Sequence, residues 1–167
     1  MFVDESGANT KLTRLYGRAL QGHRLVGCVP QGHYETNSLI AGVRLQGACA
    51  PWLFEGPMNG EMFLAWMGQG LAPVLQPGDV VIMDNLSIHK VSGVRQSLAA
   101  VGARLLYLPP YSPDFNPIEN LWSKVKQSLR SQAPRTQQEL LQAAKMAFQA
   151  ITPSDCRGFF LNANYAT

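Results

Sequence analysis

Leu108-Pro109-Pro110-Tyr111-Ser112-Pro113-Asp114-Phe115-Asn116-Pro117-Ile118-Glu119-Asn120-Leu121-Trp122 is a rigid arm that turns abruptly into a helix. It holds four of the chain's eleven prolines. Proline fixes φ and lacks an N–H, so the arm cannot begin as a helix or a central strand. Asn116 then stands as an N-cap, Pro117 at the first helical position and Glu119 at the third. Two readings of Glu119 follow. It closes a capping box on the Asn116 N–H, or the arm aims its carboxylate at a site.

Working outward, the helix predicted from Pro117 to about Ser131 carries Ile118, Leu121, Trp122, Val125 and Leu129 on one apolar stripe. Glu119, Ser123, Lys126 and Arg130 form a second stripe beside it. Thr136 to Glu139 reads as a capping box for a last long helix, with Leu140, Leu141, Ala144, Ala147, Phe148 and Ile151 facing inward. The tail from Thr152 to Thr167 is weakly patterned and reads at most as a short helix. Upstream of the arm, Leu105 to Leu108 reads as a short strand, and Ser92 as the cap of a helix through Val101. Val80-Val81-Ile82-Met83 is a continuous apolar run, the mark of a parallel strand covered on both faces, and it ends at Asp84-Asn85. Asn59 caps a predicted helix through Leu71, with Met62, Phe63, Trp66 and Met67 as core. Leu25 to Val29, Tyr34 to Leu45 and Ala48 to Phe54 read as antiparallel strands. Met1-Phe2-Val3 reads as the tail of a strand ending at Asp4. The order gives an α/β fold in one domain over residues 1–167: a mixed sheet, antiparallel meander first and parallel strands after, with helices on both faces.

The chain has 167 residues, 46% of them hydrophobic, enough for a proper core. No run approaches the ~20 apolar residues of a membrane span, and Asp4 and Glu5 argue against a leader peptide. Cys28, Cys49 and Cys156 are scattered, so free thiols in a reducing, cytoplasmic setting are expected. Net charge is only +3, but it is clustered. Residues 6 to 34 hold Lys11, Arg14, Arg18 and Arg24 with no acid; residues 120 to 138 hold Lys124, Lys126, Arg130 and Arg135 with none. Two such patches fit a polyanion partner or a plain solvated surface.

Asp84 at the end of a buried strand presents its carboxylate at the carboxyl edge of the sheet. If the first strand is its parallel neighbour, Asp4 meets it there, and Glu119 arrives from the helix. Three close carboxylates repel unless a cation sits among them. Mg²⁺ or Mn²⁺ suits an all-oxygen site. Two such ions about 4 Å apart would serve phosphodiester chemistry. Glu5 points to the other face of an extended strand and stands as a rival to Asp4. His89 is read as a structural or phosphate-contacting residue, and Asp114 as a turn residue.

These residues resemble a family. Asp4-Glu5-Ser6-Gly7, Asp84-Asn85 with His89-Lys90, and the whole arm from Leu108 to Trp122 are similar to the catalytic domain of DDE transposases, in the mariner-like superfamily with its related bacterial insertion-sequence enzymes. The 34 residues between Asp84 and Glu119 are a spacing that superfamily uses. The resemblance implies a ribonuclease H-like fold with the first and fourth strands adjacent. It implies that Asp4, Asp84 and Glu119 are the catalytic, metal-binding triad. It implies cleavage of DNA at transposon ends and transfer of the freed 3′-hydroxyl to target DNA, by a homodimer in the bacterial cytoplasm. Arg14, Arg18, Arg24, His89, Lys90, Lys124, Lys126 and Arg130 become the candidate DNA contacts. Family members carry an N-terminal helix-turn-helix region; Met1 falls three residues before Asp4, so that region is expected to be absent here or supplied by an upstream-encoded half. Two other readings stand beside this one: a general ribonuclease H-like nuclease without strand transfer, and a non-catalytic fragment that binds DNA or full-length transposase.

Overall fold

The computed structural model describes residues 1–32 and 34–166. Five strands form one sheet in the order β3-β2-β1-β4-β5. They are β1 (Phe2–Asn9), β2 (Thr36–Arg44), β3 (Gly47–Glu55), β4 (Val80–Met83) and β5 (Arg104–Tyr107). The first three pair antiparallel, while β4 joins β1 and β5 in parallel. This is the mixed sheet expected from the sequence. Pro51 lies in β3, an edge strand, where a missing N–H costs no ladder bond.

β1 is longer than its sequence predicts. It runs through Asp4 to Asn9, and every residue from Phe2 to Asn9 pairs with β2. Ser6, Gly7 and Asn9 are poor strand formers, but a full antiparallel ladder outweighs their local preference. Asp4 therefore sits inside a central strand, not at its end. Leu25 to Val29, predicted as a strand, is instead part of an exposed connection between β1 and β2. Its apolar run has no neighbouring strand to pair with, and Val26 is 84% exposed.

Helices cover both faces. On one lie α1 (Gly60–Trp66), which continues as a π-helical turn to Leu71, and α2 (Val94–Ala100). Phe63, Trp66, Met67 and Leu98 pack there against Val3, Ile40, Val81 and Met83. On the other lie α3 (Pro117–Gln132), α4 (Gln137–Gln149) and α5 (Pro153–Asn162). The α3 stripe is buried in full, against Phe2, Leu39, Ala41 and Val43 of the sheet. Alternation along β1 thus sends Phe2 towards α3 and Val3 towards α1. Leu141, predicted to face inward, is 52% exposed; Ala143 takes the buried place on α4. Ser92 is not the cap of α2. Gly93 is, at φ 107°, a left-handed conformation that a side chain would strain, and its N–H donates to the Gln96 side chain at 3.0 Å. No helix among the described residues is long and apolar enough to cross a membrane.

Candidate active site

The parallel register of β1 and β4 pairs Phe2 with Ile82. Two residues further along each chain stand Asp4 and Asp84, so the register brings them level where β4 ends. Asp4 shares Phe2's side of β1, the side that α3 covers. The proline arm leaves β5 and passes the end of β4 before α3 begins. The Asn85 side-chain amide donates to the Leu108 carbonyl and ties the arm to the end of β4. From α5, in the tail that the sequence patterns weakly, Asn162 donates to the Asn120 side chain at 3.1 Å; just beyond it, Tyr165 donates to the Phe115 carbonyl at 3.0 Å. The arm is therefore braced from both ends.

Between the arm and the end of β4 lies a cleft of 360 Å³ lined by Asp84, Asn85, Leu86, residues 108–113 and Glu119. Tyr111 stands in this lining with φ 54°, left-handed for a bulky residue, and its side chain is fully exposed. Nothing in the local sequence predicts that conformation. Glu119 lies exposed in the first turn of α3.

Asp4 is 7% exposed. Burial first, then the charges of Glu5, Asp84 and Glu119, push its carboxyl up to about 7, against a backbone hydrogen bond at Glu5 that favours the charged form. On the opposite face of β1, Glu5 meets His89, which is wholly buried. His89 Nε2 lies 2.8 Å from Glu5 Oε2, and Nδ1 lies 2.7 Å from Asp84 Oδ1. The second contact is close enough for strong charge attraction, though bent for a hydrogen bond. Burial would lower the His89 pKa, but the two carboxylates outweigh it and raise it to about 9. Burial would likewise raise the Asp84 carboxyl; His89 and the Leu86 N–H hold it below its ordinary value.

One candidate ligand cluster among the described residues, Asp4, Glu5 and His89, has its donor atoms within 4.8 Å of one another. Within it, His89 Nε2 is already engaged by Glu5 Oε2 at 2.8 Å. Asp84 and Glu119 line the cleft, and Asp4 is buried beside them, near enough for their charges to act on its carboxyl. A buried carboxylate at about 7 among other acids is what an oxygen-ligated divalent cation would relieve, so the residues present fit such an ion.

The candidate DNA contacts separate. His89 is sealed in the interior and cannot reach a phosphate, which corrects its placement among them. Lys90 is exposed and lies over the Tyr107 ring, 5.7 Å from its centroid, as does Arg95. Lys124 is paired with Asp155 at 2.5 Å. Lys126 is half-buried and Arg130 exposed on α3. Arg18 and Arg24 lie in the exposed connection after β1. The start of that connection folds back on α3: Arg14 donates to Ser131 Oγ at 2.6 Å, and Arg135 donates to the carbonyls of Thr10 and Leu12 at 3.1 and 3.0 Å. Two basic patches more than a hundred residues apart thereby become one.

A family model described as DDE superfamily endonuclease matches residues 1–141. Among solved structures, the mariner Mos1 paired-end complex with Mg aligns at TM-score 0.73 and 14% identity, covering 98% of this chain and 53% of that one. The Mos1 complex with left transposon end aligns at 0.72 and 15%, covering 98% and 50%. The catalytic domain of Mos1 mariner transposase aligns at 0.61 and 13%, covering 99% of this chain and 83% of that one. The fold is therefore ribonuclease H-like. The chain spans about half the length of the Mos1 chains in the complexes. No curated protein matches it.

Proposed function

The chain belongs to the DDE superfamily endonucleases, and from this we propose that it is a transposase catalytic domain whose Asp4, Asp84 and Glu119 hold divalent cations for cutting and joining DNA. The observation that carries the reading is the buried carboxyl of Asp4, raised to about 7 by burial first and then by the charges of Glu5, Asp84 and Glu119. An isolated structural ion pair would have the opposite shift. The cation is Mg²⁺ or Mn²⁺, in two copies; Mos1 paired-end complexes are known with each metal. When bound, such ions acidify a water or hydroxyl and neutralise the leaving oxygen of a phosphodiester.

The chain's own residues do the rest. Asp4 lies in β1 and Asp84 directly follows its neighbour β4, so sheet register sets where the two chains bring them. Glu119 is carried on a helix whose start is locked by Pro117 and by the braced arm. Such rigidity holds reacting groups in line, which lowers the entropic part of the barrier. The joined basic surface of Arg14, Lys126 and Arg130, with Arg18 and Arg24 in the connection that leads from it and Lys90 apart beside Tyr107, binds the phosphate backbone of transposon ends and target. The active assembly is a homodimer on paired ends.

The test is a Mn²⁺-dependent nicking assay on plasmid DNA, comparing the chain with Asp84→Ala. Nicking by the unmodified chain that the variant lacks is expected. Equal nicking by both removes the metal-site assignment. Recovery of nicks without joined products in a strand-transfer assay would leave a nuclease rather than a transposase.

A further inference from the structure

The Asp84 carboxylate is not free to turn. Its Oδ1 accepts the Leu86 N–H at 2.9 Å and also faces His89 Nδ1 at 2.7 Å. Both contacts fall on the same oxygen, which leaves Oδ2 as the atom without an assigned partner. His89 is itself immobilised. Its Nε2 is held by Glu5 Oε2 at 2.8 Å, and its ring centroid lies 4.8 Å from that of Phe63 on α1. Its carbonyl accepts the Tyr107 hydroxyl at 2.8 Å, and its N–H reaches the Leu86 carbonyl at 3.2 Å. Glu5 of β1, Phe63 of α1 and Asp84 after β4 meet the imidazole, while Tyr107 of β5 and Leu86 hold the main chain of the same residue.

We propose that His89 is a positioning residue that clamps Asp84 through Oδ1 and so presents Oδ2 to the cation, while Glu5 anchors the clamp from β1 and is thereby kept out of the ligand set. This rests on the metal reading of Asp84 given above. It explains why β1 carries two adjacent acids with different duties: Asp4 on the α3 face as ligand, Glu5 on the α1 face as anchor. Partners behind a ligand typically govern metal affinity by about 10- to 100-fold.

Two substitutions of His89 separate positioning from mere filling. The amide nitrogen of Asn stands near the place of Nδ1, and that of Gln near the place of Nε2. His89→Asn therefore keeps a donor towards Asp84 and loses the one towards Glu5; His89→Gln does the reverse. Calorimetric titration of each full-length chain with Mn²⁺, with no DNA present, is read beside its melting temperature. The expected result is that His89→Gln binds Mn²⁺ about 10- to 100-fold more weakly, that His89→Asn stays close to the unmodified chain, and that the two variants melt together. Equal Mn²⁺ affinities in the two variants, whether both weak or both unchanged, overturn the positioning role. So does a His89→Gln variant that melts well below His89→Asn, which assigns the loss to folding. Asp84→Asn, titrated alongside, distinguishes the two failures: if it loses Mn²⁺ while both His89 variants keep it, only the clamp is wrong, and if it binds Mn²⁺ unchanged, the metal reading falls and this inference with it.

Discussion

The Asn116 N–H donates to the Pro113 carbonyl at 2.9 Å, so Glu119 does not close a capping box on it. The reason lies in the backbone. Asn59, Thr136 and Thr152, the caps whose side chains do accept a helix N–H, have ψ of 173°, 162° and 159°. Asn116 has ψ 97°, and its side chain makes no capping bond. The result is a helix start that leaves the Glu119 carboxylate to the cleft.

Glu119→Gln should accordingly leave the fold intact and remove cleavage. The melting temperature is expected to match the unmodified chain, because no capping bond is lost. Nicking in Mn²⁺ is expected to fall at least about 100-fold, the upper range seen when only a ligand's supporting partner is removed. A Gln variant that cuts DNA normally would return Glu119 to an ordinary first-turn acid.

Lys126 and Arg130 pair with no acid among the described residues. Replacing both with Ala should weaken DNA binding and reduce the slope of log affinity against log salt by roughly 2, since each duplex phosphate contact contributes about 0.9. Lys124→Ala should change the slope less, because Asp155 already holds that ammonium. Binding measured by fluorescence anisotropy between about 50 and 200 mM salt reads both. An unchanged slope in the double variant makes the α3 stripe plain surface.

Leu121 is fully buried where α3 meets the sheet. Leu121→Ala should cost about 2–5 kcal/mol, the range for emptying a packed aliphatic site. Urea unfolding gives the value. Ser123→Ala, an exposed neighbour on the same helix, should stay within about 0.5 kcal/mol.

The Arg44–Asp79 pair gives a pH dependence of stability. Arg44 donates to both Asp79 oxygens at 2.9 and 2.6 Å. These bonds, with the Gln76 N–H, hold the Asp79 carboxyl down to about 2. The folded value lies below the unfolded one near 3.8, so the stabilisation is present above pH ~4 and is lost as pH falls towards 2. Asp79→Asn should melt lower than the unmodified chain at pH 6, and the two curves should converge by about pH 2. Melts that stay equally far apart across this range would assign the difference to packing instead.

Much of this protein was determined by its sequence alone. Local rules suffice where a residue's neighbours along the chain set its conformation: the proline arm, the start of α3 at Pro117, the stripe from Ile118 to Leu129, the Thr136 capping box and the apolar run of β4. The motifs at Asp4, Asp84 and the arm were specific enough to carry the family. Tertiary structure decided what depends on partners distant in the chain. β2 drew a stretch of weak strand formers after Asp4, Glu5 to Asn9, into β1, while Leu25 to Val29, with better local propensity, found no partner and stayed outside the sheet. Arg14 and Arg135 joined two basic patches that the sequence shows apart. His89 stood open from sequence as a structural or a phosphate-contacting residue, and its packing between Glu5, Asp84 and Phe63 made it the structural one. The capping box at Glu119 was open from sequence, since Asn116 and Glu119 have the right spacing. The Asn116 backbone, at ψ 97° with its N–H on the Pro113 carbonyl, closed that option and left the carboxylate to the cleft.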